Sequence, residues 1–168
     1  DPSAPDPAII ARAAALLRSG DIVAFPTETV YGLGADATNP EAVQRIYEAK
    51  GRPAYNPLIV HVPDVAGARQ LASAWPVVAD GITDRWWPGP LTIVVQKSAA
   101  IPDIVTAGLP TVALRVPAHP VALAILRAAG IPLAAPSANL SGMTSPSQAR
   151  HVEKSLGGRI PLIIDGGP

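Results

Sequence analysis

Lys50 and Arg52 flank a glycine, and prolines at 53 and 57 stiffen the chain beyond them. Lysine supplies a compact point charge and arginine a planar fork of donors, a combination that suits a polyphosphate. A helix C-terminus attracts Lys and Arg through its dipole in any case, so the pair alone is compatible with an ordinary capped helix. Stiffness separates the two readings: the steps Arg52-Pro53 and Asn56-Pro57 restrict both flanks, for which a merely solvated turn has no use. Asn56 adds an amide able to read a base or a phosphate oxygen.

Two further polar stretches bracket this one. Residues 26–36 carry Thr27, Thr29, Tyr31 and two glycines that allow close backbone approach to a ligand. Residues 137–147 gather Ser137, Asn139, Ser141, Thr144, Ser145 and Ser147 into a cluster of donors and acceptors. Hydroxyls and glycines are also common turn residues, so either stretch could be only a turn. Arg115 lies inside the apolar run 111–116, where a cation needs a partner, either an anionic ligand group or an Asp or Glu side chain. His61 sits in the apolar run 58–62 and alternation makes it face away from Val60 and Val62. A lone strand histidine is ordinarily a core or surface residue, so its type alone assigns it no chemistry. Trp86 and Trp87 read as packing residues, because two adjacent aromatics cannot face one platform; stacking on RNA is the lesser reading.

Several chemistries are excluded by pattern. There is no cysteine, hence no disulfide, thiolate zinc site or cysteine nucleophile. His61, His119 and His151 lie far apart without carboxylates at ligand spacing, so no protein-built metal site is expected. No Walker loop occurs, and no G-x-S-x-G elbow or S-x-x-K supports a serine hydrolase. Gly32, Gly34 and Ala37 satisfy the loose G-x-G-x-x-A form. Six residues separate Phe25 from Gly32, however, and the next helix opens only at Pro40, which is the wrong context for a dinucleotide site.

The elements that must position these residues follow from caps and periodicity. Asp6, Pro7 and Gly20 bracket an amphipathic helix over 9–19, and Asn39, Pro40 and Gly51 bracket another over 41–49. Apolar runs at 22–25, 58–62, 91–96, 111–116, 132–136 and 161–165 read as strands. Helical stretches fall at 65–72, 77–87, 119–130 and about 146–155, and residues 26–38, 50–57 and 137–147 read as loops with a turn at 87–90. Strands alternating with helices, joined by connections of mixed length, imply one α/β domain of three layers: a twisted, mixed parallel and antiparallel sheet with helices on both faces.

Length and composition agree. A chain of 168 residues, 48% apolar and 15% charged, can bury a core without staples. Thirteen basic and thirteen acidic side chains cancel, which removes the footprint of a dedicated nucleic-acid binder but leaves room for a basic cleft. The acidic, proline-rich start and the short apolar run interrupted by Arg12 and Arg18 make neither a signal peptide nor a membrane span, so the expectation is a cytoplasmic protein with no membrane contact.

Taken together, FPTETVYGLGADA, KGRPAYNPLIVHV, WPGPLTIVV, TVALRVP, APSANLSGMTSP and IDGG, in this order and spacing, resemble the YrdC-like family of threonylcarbamoyl-AMP synthases over residues 20–167. The resemblance implies a YrdC/DHBP-synthase-like fold, with residues 1–168 as the catalytic domain. It implies synthesis of threonylcarbamoyl-AMP and pyrophosphate from L-threonine, bicarbonate and ATP, for threonylcarbamoyladenosine at tRNA position 37. By motif, Thr29, His61, Arg115 and the backbone at Ala135 would hold threonine. Arg52, Asn56, Thr111, Ser137 and Ser145 would hold ATP, and Lys50 with Arg52 would neutralise charge at the phosphates. ATP is then a substrate, Mg²⁺ rides on its triphosphate, and the partners implied are downstream tRNA threonylcarbamoyl-transfer proteins, with RNA contact a further expectation. Family members continue past IDGG into a segment that also reaches the nucleotide, so either the chain is trimmed at Pro168 or its ATP site is left partly open, in which case weak ATP binding is expected. Two alternatives stand beside this reading: a carbamoyl-adenylate domain of a carbamoyltransferase, and an RNA-binding module.

Overall fold

The computed structural model describes residues 3–53 and 56–168; Ala54 and Tyr55, within the 50–57 loop expected from the sequence, and Asp1 and Pro2 lie outside the described residues. The long helices begin and end where their caps dictate. Helix α1 (Pro7–Arg18) opens with the Asp6 carboxylate accepting from Ala8 N at 2.8 Å, and the chain leaves it through Gly20 at φ +86°. Helix α2 (Pro40–Lys50) opens with Asn39 Oδ1 accepting from Glu41 N and Ala42 N and closes on the left-handed Gly51. Helix α6 (Pro120–Ala129) is capped by His119 Nδ1, which accepts from Val121 N at 3.2 Å, and closes on the left-handed Gly130.

Six strands form one sheet: β1 (Val23–Phe25), β2 (Gly32–Asp36), β3 (Ile59–His61), β4 (Ile93–Gln96), β5 (Thr111–Arg115) and β6 (Leu133–Ala134). Their order is β1-β2-β6-β3-β5-β4, in which only β3 and β5 run parallel. The remaining helices are α3 (Val65–Gln70), α4 (Val77–Trp86), α5 (Asp103–Thr106) and α7 (Ala149–Leu156). No helix among the described residues is long and apolar enough to cross a membrane.

Alternation splits the core into two layers, as the sequence led us to expect. On one face Val23, Phe25, Leu133 and Ala135 pack against Ile10, Ala13 and Leu17 of α1 and Val121, Ile125 and Leu126 of α6. On the other, Leu33, Ala35, Val60, Val112 and Leu114 pack against Val43 and Ile46 of α2, Val105 of α5, and Val152 and Leu156 of α7. The layer made by α1 and α6 stops short of the far strands. Across β3, β5 and β4 the row Ile59, Ala113 and Val94 shares that face, and Val94 at its end is 64% exposed. This uncovered half of the sheet is the floor on which the functional residues stand.

Four sequence expectations change. Residues 32–36 lie in a strand, β2, rather than in the irregular loop expected across 26–38. Its two glycines hid the period, and the second of them, Gly34, is there because the buried Phe25 ring lies across it. A Cβ at Gly34 would stand 2.6 Å from Phe25 Cε1. Residues 161–165 form no strand; a single parallel bridge joins Ala24 to Ile163, with Ile164 N donating to Ala24 O at 2.9 Å. Helix α5 was not anticipated, being a single turn of four residues too short to carry a period. Trp87 is buried and donates from Nε1 to Leu91 O, but Trp86 is 54% exposed with the Arg85 guanidinium 5.5 Å from its ring centre, so only one of the two is a packing residue.

The Gly34 contact predicts that Gly34→Ala, which adds a methyl where the fully buried Phe25 ring has no room, lowers stability by about 1–3 kcal/mol. Urea unfolding should show a lower midpoint with an unchanged slope.

Candidate active site

The parallel ladder between β3 and β5 sets His61 opposite Arg115, side by side on the same face of the sheet. Two residues back along β5 is Ala113, and two further is Thr111, paired in register with Gln96. Thr111 therefore lies about 13 Å along the strand from Arg115, on the same face. Ser137 continues the Thr111 end through its bridge to Gly32. The floor thus has one end that carries Arg115 and His61, an apolar middle and a hydroxyl-bearing end.

Arg115 is held from three sides. Its Nε donates to Gly89 O at 3.2 Å, and its Nη2 donates to Glu28 Oε1 at 2.6 Å and to Thr29 Oγ1 at 3.2 Å. Of the two readings the sequence left open, a carboxylate partner is present, and it comes from the first loop. Burial pulls the Glu28 pKa upward, but the hydrogen bond and charge of Arg115 and the N–H of Ala118 outweigh it and hold the carboxyl below its ordinary range. Burial, reinforced by the Arg115 charge, pushes His61 down to about 4. The imidazole beside Arg115 is accordingly neutral at physiological pH.

The second cluster joins α2 to the third loop. Lys50, nearly fully buried, donates from Nζ to the Ser137 and Asn139 carbonyls. Burial, together with the neighbouring Arg52 charge, lowers its pKa to about 8. Arg52 Nη2 donates to Pro57 O at 3.1 Å and more weakly to Asn56 O at 3.5 Å, while the single Tyr47 hydroxyl hydrogen is shared between Ile104 O at 2.9 Å and Asn56 O at 3.1 Å. Both cations therefore fasten loops as well as carrying charge. Lys50 spends two of its three N–H donors on the third loop, and no partner among the described residues takes the third.

The first loop is built by Thr27, whose Oγ1 donates to Val30 O at 2.6 Å and accepts from the N–H groups of Thr29 and Val30. Tyr31, which follows, is buried; its hydroxyl donates to Gly167 O at 2.7 Å and accepts from Gly166 N at 3.1 Å.

The sequence-expected residues fall into these groups unevenly. Thr29, His61 and Arg115 converge at one end, and Lys50, Arg52, Asn56 and Ser137 at the other. The Ala135 N–H is already donated to Ile59 O at 3.0 Å, which leaves its carbonyl as the backbone group to offer. Ser145 is exposed on the rim of a cavity of about 380 Å³ lined also by Thr144, His151 and Lys154, and no hydrogen bond ties it to the Lys50 cluster. Glu28 has no assigned role in the sequence, where its only signal is an acid set between two threonines. The sequence places Asn139 in a polar cluster without giving it a role.

Three buried side-chain polar atoms among the described residues have no hydrogen-bond partner: Arg52 Nε, His61 Nδ1 and Asn139 Oδ1. Leaving such a group unsatisfied costs about 1–3 kcal/mol. They stand on the second loop, on β3 and on the third loop, so the polar groups of one extended ligand could satisfy all three. Among the described residues no group of three or more His, Cys, Asp or Glu is placed to hold a metal ion.

Comparisons with known proteins identify the family. The Sua5/YciO/YrdC family model, described as telomere recombination, matches residues 15–168, and the chain belongs to that family. A threonylcarbamoyl-AMP synthase of Bacillus subtilis is 58% identical over 160 residues, which are 95% of this chain and 46% of that protein. One from Pyrococcus abyssi is 53% identical over 155 residues, covering 92% of this chain and 46% of the relative. The crystal structure of P. abyssi Sua5 complexed with L-threonine superposes with a TM-score of 0.93 at 52% identity, over 94% of this chain and 46% of that one. The chain thus spans about half the length of the relatives it matches.

The neutral His61 yields a prediction about acid stability. Its folded pKa lies below the unfolded value of about 6.5, so between pH 6.5 and 4 the unfolded chain binds a proton that the native state refuses. Stability should be full above pH 6.5 and fall as the pH drops towards 4, by up to about 3 kcal/mol. His119, also depressed by burial, adds to the slope with the same sign. Urea midpoints at pH 7 and pH 5 should therefore lie closer together in His61→Gln than in the wild type.

Proposed function

We propose that this chain is the domain that makes threonylcarbamoyl-AMP and pyrophosphate from L-threonine, bicarbonate and ATP, a nucleotidyl transfer that serves threonylcarbamoyladenosine formation at tRNA position 37 in the cytoplasm. The observation that carries the reading is the division of the open sheet face into an end where Arg115 stands beside His61 and an end where Thr111 and Ser137 lie near Lys50 and Arg52, with apolar residues between them. An amino acid and a nucleotide triphosphate are a pair of ligands of that shape and charge. Two relatives named for this reaction and a neighbour structure with L-threonine bound support it.

Threonine would place its α-carboxylate on Arg115 and its remaining polar groups near Thr29, the His61 imidazole and the Ala135 carbonyl. A neutral imidazole matters here, because it can accept from the substrate without adding a second buried charge next to Arg115. ATP would run along the Thr111 and Ser137 end, with Asn56 and Ser145 at its periphery. Threonine and bicarbonate give the carbamate with loss of water, and a carbamate oxygen then displaces pyrophosphate from the α-phosphorus. Negative charge accumulates on the phosphate oxygens as the leaving group departs. The free N–H of Lys50 and the guanidinium of Arg52 are the preorganised cations that would stabilise it. No side chain is needed as a covalent nucleophile; positioning and electrostatics supply the acceleration. Magnesium would enter on the triphosphate, since the donor set near the cations is carbonyl and hydroxyl rather than a carboxylate cage. The tRNA-modifying partners would receive the adenylate downstream.

The test is pyrophosphate release from ATP and bicarbonate, with and without L-threonine. Release should depend on threonine; equal release without it would favour a carbamoyl-adenylate activity instead, and salt-sensitive RNA retention without any release would favour the binding module. Arg52→Ala should lower turnover at least a hundredfold while the far-ultraviolet circular dichroism is unchanged, and wild-type turnover in that variant would remove the phosphate role. The Lys50 ammonium loses its charge as the pH rises through about 8, so turnover should decline on that alkaline limb. Lys50→Arg, if active, should move the limb upward.

A further inference from the structure

We propose that Glu28 is the positioning residue for Arg115, setting the affinity for the amino-acid substrate without contributing to ATP binding. The proposal rests on the threonine assignment made above. Both Glu28 oxygens are taken by the protein: Oε1 accepts from Arg115 Nη2 at 2.6 Å and Oε2 accepts from Ala118 N at 3.1 Å. With each oxygen anchored to the protein, the carboxylate acts on the amino-acid substrate through the guanidinium.

The geometry of Arg115 shows what that action is. The Gly89 carbonyl fixes Nε, while Glu28 and Thr29 together fix Nη2. Among the described residues only the terminal Nη1 keeps its hydrogens free, so the fork presents one edge to the open floor. A flexible arginine would sample many rotamers; one clamped at two nitrogens meets a carboxylate already oriented. Arg115 has 9% of its side chain exposed and Glu28 23%, so the pair is partly desolvated and the interaction is stronger than a surface ion pair.

Glu28 also fixes the position of a second group. It joins the first loop to the connection between β5 and α6 through Ala118, across 90 residues of sequence. Thr29 is its chain neighbour and shares Nη2 with it. One clasp therefore aligns two of the groups assigned to threonine. The ATP-side groups Lys50, Arg52 and Ser137 share no hydrogen bond with Glu28 and should not respond to its loss.

The experiment uses L-threonine as the probe. Calorimetric titration of threonine into the protein without ATP is compared for the wild type, Glu28→Ala and Glu28→Gln, alongside threonine and ATP saturation curves for pyrophosphate release. Glu28→Ala should raise the threonine Kd and KM tenfold or more, while kcat at saturating threonine and the ATP KM stay within twofold. Glu28→Gln keeps an oxygen for Arg115 and should raise them by a smaller factor. A threonine Kd unchanged in both variants overturns the proposal, and so does an equal rise in the ATP KM, which a general loosening of the fold would produce. If Glu28→Ala does not fold, Glu28→Gln decides on the same criteria. Absence of threonine binding to the wild type would overturn the substrate assignment itself, and is thereby distinguished from failure of the Glu28 role.

Discussion

The parallel pairing of β3 with β5 is the constraint from which the site follows. Every other neighbouring pair in the sheet is antiparallel. This one ladder sets His61 and Arg115 in a single row and lets two strands distant in sequence face one ligand. A slip of one residue in β3 would turn the imidazole into the core and Val60 onto the floor. The burial of Val60, Val112 and Leu114 against α2 and its neighbours is what forbids the slip. Core packing on one side of the sheet thus fixes the chemistry on the other.

Three cations stand near that floor, and each is handled differently. Arg115 is paired with a carboxylate, Lys50 with two backbone carbonyls, and Arg52 with carbonyls of its own loop. Only the first is close to charge neutrality within the protein. The positive potential is therefore weighted towards the end occupied by Lys50 and Arg52, which is the end that a triphosphate with several negative charges requires. The Arg115 end carries enough charge for one carboxylate, and burial with the Arg115 charge holds His61 from adding a second cation.

Much of this was legible in the sequence, for physical reasons that differ by element. Helices α1, α2 and α6 were visible because their caps are local: Asp6, Asn39 and His119 act within three residues, and the glycines that end α2 and α6 have left-handed backbones. Strand β2 was hidden because the property that makes it a strand is a long-range fit, glycine against the Phe25 ring. The stretch 161–165 was apolar enough to read as a strand, yet it meets the sheet by one bridge at Ala24. In the site, Lys50 and Arg52 announced themselves by charge and stiffened flanks. That Lys50 is buried and braces the third loop could not be read, since its partners are backbone carbonyls 87 and 89 residues away. Glu28 escaped for the same reason, its partner lying 87 residues on.

Tyr31 links distant parts of the chain in another way. Its buried hydroxyl sits between Gly166 N and Gly167 O, and Thr29 is only two residues before it in the chain. Any pull on the glycines after Asp165 is therefore transmitted through one phenol to the loop that touches Arg115. Mechanically, the two glycines and the first loop form a lever with Tyr31 as its pin. Because the Tyr31 N–H also donates to Pro146 O and its carbonyl accepts from Ala138 N, the same pin joins the first loop to the third.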